Sequence, residues 1–150
     1  MSKPPDVRAA TPADALEVAG VHVRSWQVGY RGLLPQAYLD GLRPEERARR
    51  YTFGDTGTGR PLTVVAVEQG VICGFATTGP SRDRDVRDAR EVLALYVDPD
   101  HWGSGVGRLL IDGARSRLGR EGASEAVLWV LAGNERARRF YRADGWAPDG

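Results

Sequence analysis

The sequence predicts a mixed α/β domain, a mostly antiparallel sheet flanked by helices, and three observations predict it. Helical apolar spacing fills the first third of the chain. Two β-rich runs joined by a two-residue turn follow residue 61. From residue 91 onward, strands alternate with amphipathic helices. At 150 residues, with 41% hydrophobic and 27% charged, the chain has the length of one domain and enough apolar material for its core. Residues 1–150 are therefore read as a single domain.

Residues 6–10 (DVRAA) read as a short strand, and Thr11 with Pro12 reads as a cap and first-turn proline. The helix behind them runs to about Tyr30, with Leu16, Ala19, Val23, Trp26 and Tyr30 at helical spacing. Pro35 opens a short second helix. Pro44 opens a third, PEERARRYTF, with acidic residues first and arginines later, as the helix dipole favours. Residues 54–61 are turn-rich. Residues 61–68 and 71–79 form a hairpin around Gln69 and Gly70, and 80–90 is a charged connection. EVLALYV (91–97) is the next strand, and 98–107 is an acidic, glycine-rich turn. The helix over 105–119 has Val106, Leu109, Leu110, Ala114 and Leu118 on its apolar face. SEAVLWVL (124–131) is so continuously apolar that both faces are expected to be covered. Asn134 caps a last helix that Gly145 ends, and Trp146 starts a final extended piece.

Charge and cysteine content exclude several classes. Lys and Arg total 21 against 20 Asp and Glu, a net charge of +1, which argues against an extended nucleic-acid surface. The single cysteine, Cys73, allows no internal disulfide and has no metal-ligand neighbours in sequence, so no metal is expected. No apolar run approaches the roughly 20 residues of a membrane helix. Residues 1–10 lack a signal-peptide core. The expectation is a cytoplasmic protein that engages neither membrane nor nucleic acid.

The glycine turn carries the chemistry. A strand runs into Gly103, Gly105 and Gly107 and a helix starts at once, which lets backbone N–H groups and a helix N-terminus approach an anionic ligand. A plain strand-to-helix turn is the alternative. The dinucleotide fingerprint fails, because Arg108 or Leu110 stands where its last glycine must be. The P-loop motif fails because Lys3 is the only lysine.

Trp102-Gly103-Ser104-Gly105-Val106-Gly107, followed by Arg108, resembles the pyrophosphate loop of the GNAT family of N-acetyltransferases. Trp102 replaces the family's Gln or Arg. A second signature resembles the same family through Asn134, Ala137, Phe140, Tyr141, Gly145 and Trp146, and residues 26–42 look like its first two helices. The resemblance implies an acyl-CoA N-acyltransferase fold and transfer of an acetyl group from acetyl-coenzyme A (acetyl-CoA) to a primary amine of a small molecule or peptide. A non-catalytic acyl-CoA-binding module of the same fold is the competing reading.

What the resemblance implies for single residues follows from that chemistry. An alkyl amine with a pKa near ~10.4 must lose a proton, the thioester oxygen needs a donor, and the leaving thiolate needs a proton. Glu91 matches the position of the family's general base in one branch, against the alternative of a solvated residue at a strand edge. Tyr141 matches the family's acid, against packing with Phe140. The Val97 N–H would receive the acetyl oxygen, Leu95 and Val97 would flank the pantetheine, and Asn134 would both cap its helix and meet that arm. Arg108, Arg136, Arg138 and Arg139 would rim a nucleotide phosphate or lie in solvent. Trp26 and Tyr30 would line the acceptor cleft or the core, with His22 structural, while Asp83, Asp85 and Asp88 would attract a cationic acceptor or be solvated. Family members usually continue through one more strand after the Trp146 position. The resemblance therefore implies either a C-terminal strand that is incomplete in this sequence or one supplied by a partner copy in a homodimer.

Overall fold

The computed structural model describes residues 5–54, 61–80, 90–120, 122, 125–131 and 133–148. Five strands form one sheet in sequence order: β1 (Asp6–Ala9), β2 (Leu62–Glu68), β3 (Val71–Pro80), β4 (Arg90–Val97) and β5 (Ala126–Leu128). The first three pairings are antiparallel and β4–β5 is parallel, so the expected mixed, mostly antiparallel sheet is present. Gln69 and Gly70 both have positive φ (52° and 78°), the conformation that a two-residue hairpin turn requires.

Alternation along β2 and β3, reset where the register shifts and Cys73 is an extra residue, separates two cores. Val65, Ile72 and Phe75 pack with Val18 and Val21 of α1 (Ala15–Gly29). Ala66, Cys73 and Ala76 pack with Val106 and Leu110 of α4 (Val106–Arg120). The two helices therefore cover opposite faces of the sheet. Gly74 is where α4 comes closest, since a Cβ there would meet Leu110 Cδ1 at 2.9 Å and Tyr96 O at 3.1 Å. Short helices α2 (Gln36–Asp40) and α3 (Pro44–Ala48) follow α1, and α5 (Glu135–Ala143) ends the fold.

Local signals act as the sequence suggests at most helix ends. The Thr11 N–H donates to Asp14 Oδ2 at 2.8 Å, and a 3-10 turn over Pro12–Asp14 leads into α1. Arg8 grips the same carboxylate at 2.7 and 3.0 Å and holds its pKa well below the usual carboxylate range. Asn134 Oδ1 accepts from Ala137 N at 3.1 Å. Gly145, at φ 99°, ends α5, with Trp146 N donating to Tyr141 O at 3.0 Å.

Four expectations need correction. Leu16 is exposed, and the buried face of α1 is instead Val18, Ala19, Val21, His22, Val23 and Ser25. The third helix stops at Ala48, because Tyr51 and Phe53 both insert into the α1-side core. Residues two apart on a helix point in opposite directions, so the chain must leave the helix to place both rings, which stack at 4.7 Å. Of the strand expected at 124–131, the described residues form a strand only over Ala126–Leu128, and Trp129 and Leu131 are exposed. Beyond Leu128 the chain leaves β4, so neither ladder nor cover is available to those side chains. Residues 146–148 form no strand; Trp146 packs back on the core of Val92, Ile111 and Leu118. The charged connection carrying Asp83, Asp85 and Asp88 lies outside the described residues.

Candidate active site

The site exists because β4 and β5 part. They pair at Arg90–Ala126, Glu91–Val127 and Val92–Leu128, after which β4 continues alone to Val97. On its other side β4 remains bonded to β3, with Thr77 opposite Ala94 and Thr78 opposite Val92. Leu93 is thus an extra residue, a bulge that turns the strand. Asp98 N donates to Cys73 O at 2.8 Å, so Val97, opposite Gly74, is a non-hydrogen-bonded position of the β3 ladder. Its own N–H and C=O consequently face the gap.

That gap is a cleft of about 520 Å³. Leu95 and Val97 line one wall, Leu128, Trp129 and Val130 the other, and Asn134, Arg136, Phe140 and Tyr141 of the α5 region close over it. Tyr30 and Ser25 of the α1 region and Tyr96 reach it from the opposite side of the sheet. At the far end lie Trp102, Gly103, Gly105, Gly107 and Arg108.

The three glycines do different work. Gly103 (φ 78°) and Gly105 (φ 92°) adopt the left-handed conformation, and nothing lies within 4 Å of where their Cβ atoms would sit. They form an open backbone cradle at the start of α4, whose first N–H groups lack intrahelical acceptors. Gly107 has an ordinary φ. A Cβ there would meet the Phe140 ring at 3.3 Å, so its smallness serves the α4–α5 contact, which corrects the reading of all three as ligand approaches.

Trp102 takes a role the sequence did not suggest. Its Nε1 donates to Val97 O at 2.8 Å, and the Arg136 guanidinium lies 3.6 Å over its ring. Gly29, at the end of α1, sits beneath this stack, 3.6 Å from Arg136 Nη2 measured from its would-be Cβ. A tryptophan in place of the family's polar residue therefore links β4, α1 and α5. Arg138 pairs with Glu135 at 3.1 Å, and Arg108 is an exposed residue 3.9 Å from Asp112.

Tyr141 lines the cleft, edge-on to Phe140 at 5.2 Å. Burial, foremost, and the nearby Tyr30 push its pKa well above the ordinary phenol value, so it stays protonated at neutral pH. Tyr30 lies edge-on to Trp26 at 4.9 Å. Trp26 does not line the cleft; it belongs to the aromatic group of His22, Phe75 and Tyr96. The side chains of Ser104 and Val106 are engaged elsewhere: Ser104 Oγ donates to His101 O, and Val106 is core.

Glu91 is the largest departure. It is fully buried, opposite Gly79 and Val127, and is absent from the cleft lining. This burial overturns the solvated-edge reading, and Glu91 is not among the described residues that line the cleft. Tyr96, Ser25 and Trp129 are cleft residues that the sequence reading missed. Tyr96 carried a signal, since it sits between Leu95 and Val97. Folding also brings Glu68 and His101 to Cys73, with ligand-type atoms within 4.8 Å of one another, although no neighbour in sequence announced them. Burial and Glu68 push the Cys73 thiol up, and it donates to Ala66 O at 3.5 Å.

The comparisons bear on this geometry. Residues 26–146 match the Acetyltransferase (GNAT) family. An uncharacterized N-acetyltransferase of Bacillus subtilis, YuaI, is 33% identical over 140 residues, covering 91% of this chain and 77% of its own. A mycothiol acetyltransferase of Propionibacterium freudenreichii is 35% identical over 71% of this chain but only 34% of its own. The PaiA N-acetyltransferase of Thermoplasma acidophilum, solved in complex with coenzyme A, superposes with a TM-score of 0.80 at 20% identity, covering 99% of this chain and 94% of that one. With its cleft built on a splayed β4–β5 pair and a glycine turn at the start of α4, this chain belongs to the GNAT family of acetyltransferases.

Proposed function

We propose that the protein transfers an acetyl group from acetyl-CoA to a primary amine by direct attack within the β4–β5 cleft. The observation that carries this reading is the free outer edge of β4, which faces Tyr141 and ends on the open cradle of Gly103 and Gly105. The cradle suits a pyrophosphate, and the apolar wall of Leu95, Val97, Leu128 and Val130 suits the pantetheine chain. A bound thioester supplies an electrophilic carbonyl and a thiolate leaving group.

The chain's own groups do the rest. The Val97 N–H, turned into the gap by the ladder register, donates to the carbonyl oxygen as it gains charge. Tyr141 holds its proton at Oη through the neutral range and delivers it toward the departing sulfur. The Asn134 side chain, fixed by its bond to Ala137 N, borders the same cleft. Glu91 lies off the cleft wall, so the amine gives its proton to water in the open cleft. A panel of primary amines with acetyl-CoA and a free-thiol readout tests the proposal; thiol release that no amine accelerates overturns it.

A further inference from the structure

A second cavity, of about 280 Å³, lies beside α1 and α3. Leu93 and Ala94 border both it and the main cleft, so the β4 bulge is the common wall of the two. Arg47 of α3, Arg50, His22 and Tyr51 contribute its polar groups, with Thr63 and Thr77 bonded to each other through their hydroxyls at 2.7 Å. No Asp or Glu is among the described residues that line it.

Among the described residues no acid answers these arginines. Arg47 Nε is buried without a hydrogen-bond partner, and neither Arg47 nor Arg50 forms an ion pair among the described residues. Arg47 instead lies 5.8 Å over the Tyr51 ring. His22 adds no charge: burial, then Arg47, pushes its pKa down to about 3, and its Nδ1 is engaged with the Tyr51 hydroxyl at 3.1 Å. A guanidinium whose Nε–H is buried without a partner, in a cavity whose described lining holds no carboxylate, favours an oxyanion, which its planar fork can bind through two hydrogen bonds.

We infer that this cavity holds the acidic end of the acceptor, so that the substrate class is a small amine bearing a carboxylate or phosphonate. Its oxyanion meets Arg47, and its amine extends past Leu93 and Ala94 to the cleft. The inference rests on the acetyl-transfer reading and narrows it.

Matched acceptors test it: an amino acid, its carboxamide and the corresponding aminophosphonate, each with acetyl-CoA. The acids are expected to exceed the amide in kcat/KM at least about tenfold, the scale of a charged hydrogen bond. Arg47→Met should erase that preference chiefly through KM, and Arg47→Lys should restore part of it. Equal kcat/KM for acid and amide in the wild-type protein, or a preference that survives Arg47→Met, overturns the inference. Should Arg47→Met fail to fold, judged by its melt, Arg50→Gln must weaken the same preference. Thiol release with none of the three leaves the transfer reading, not the subsite, in error. Calorimetry of the acids with the protein then decides the subsite: binding lost in Arg47→Met upholds it, and no binding to the wild-type protein overturns it.

Discussion

The Trp102 indole N–H is hydrogen-bonded to the Val97 carbonyl at 2.8 Å, tying the last residue of β4 to the first residue of the glycine turn. One group of Val97 is thus held in place while its N–H remains available to the cleft. Trp102→Phe keeps the ring beneath Arg136 but removes this bond, worth about 1 kcal/mol. Coenzyme A affinity measured by calorimetry should fall about fivefold. Unchanged affinity would make the bond incidental to the loop.

Gly105 sits at φ 92° with open space around it. Gly105→Val therefore brings backbone strain of about 1–3 kcal/mol rather than a core clash, and places a branched side chain in the cradle. The protein should stay folded with a lowered melting temperature and lose at least tenfold in coenzyme A affinity. A folded variant with wild-type affinity would move the pyrophosphate away from this turn.

Tyr141→Phe removes the proton donor and retains the ring contacts with Phe140 and Trp146. Turnover of a confirmed acceptor should drop roughly a hundredfold, with coenzyme A affinity within about twofold. Because the phenol's pKa is raised, its ionisation should produce no falling limb in the wild-type rate up to about pH 10. Full turnover in the phenylalanine variant would return Tyr141 to packing.

Glu91 is buried and off the cleft, so its contribution should be to the fold. Glu91→Gln is expected to lower stability while the pH–rate profile keeps its wild-type shape once scaled for folded protein. A rising limb that disappears in the variant would instead place the carboxylate in the proton path.

His22 makes stability pH-dependent. Its pKa falls from an ordinary 6.5 to about 3 on folding, so below pH 6.5 the unfolded chain binds a proton that the folded chain refuses. Its share of stability is intact above 6.5 and declines by about 1.4 kcal/mol per pH unit toward 3. Melting temperatures of the wild-type protein and His22→Gln should converge or cross as pH falls through this window. Parallel curves would mean that His22 takes up its proton in the folded state.

The sequence by itself determined what local chemistry controls. Gln69-Gly70 set the hairpin, Asn134 and Gly145 bounded α5, and the glycine turn followed by a helix start marked one end of the cleft. Each of these depends on the backbone preferences of a few adjacent residues. Tertiary structure decided the rest, because burial and facing depend on what packs alongside. PEERARRYTF has helical composition throughout, yet the core claimed Tyr51 and Phe53 from a non-helical chain. The apolar run to Leu131 looked covered on both faces until β5 parted from β4. Glu91 stood at a charged sequence edge and folded into the interior. The bulge at Leu93 and the cavity that encloses the Arg47 Nε arise from contacts between distant segments, which no spacing along the chain encodes. The Trp102–Val97 bond spans only five residues, yet it depends on how the turn after β4 folds.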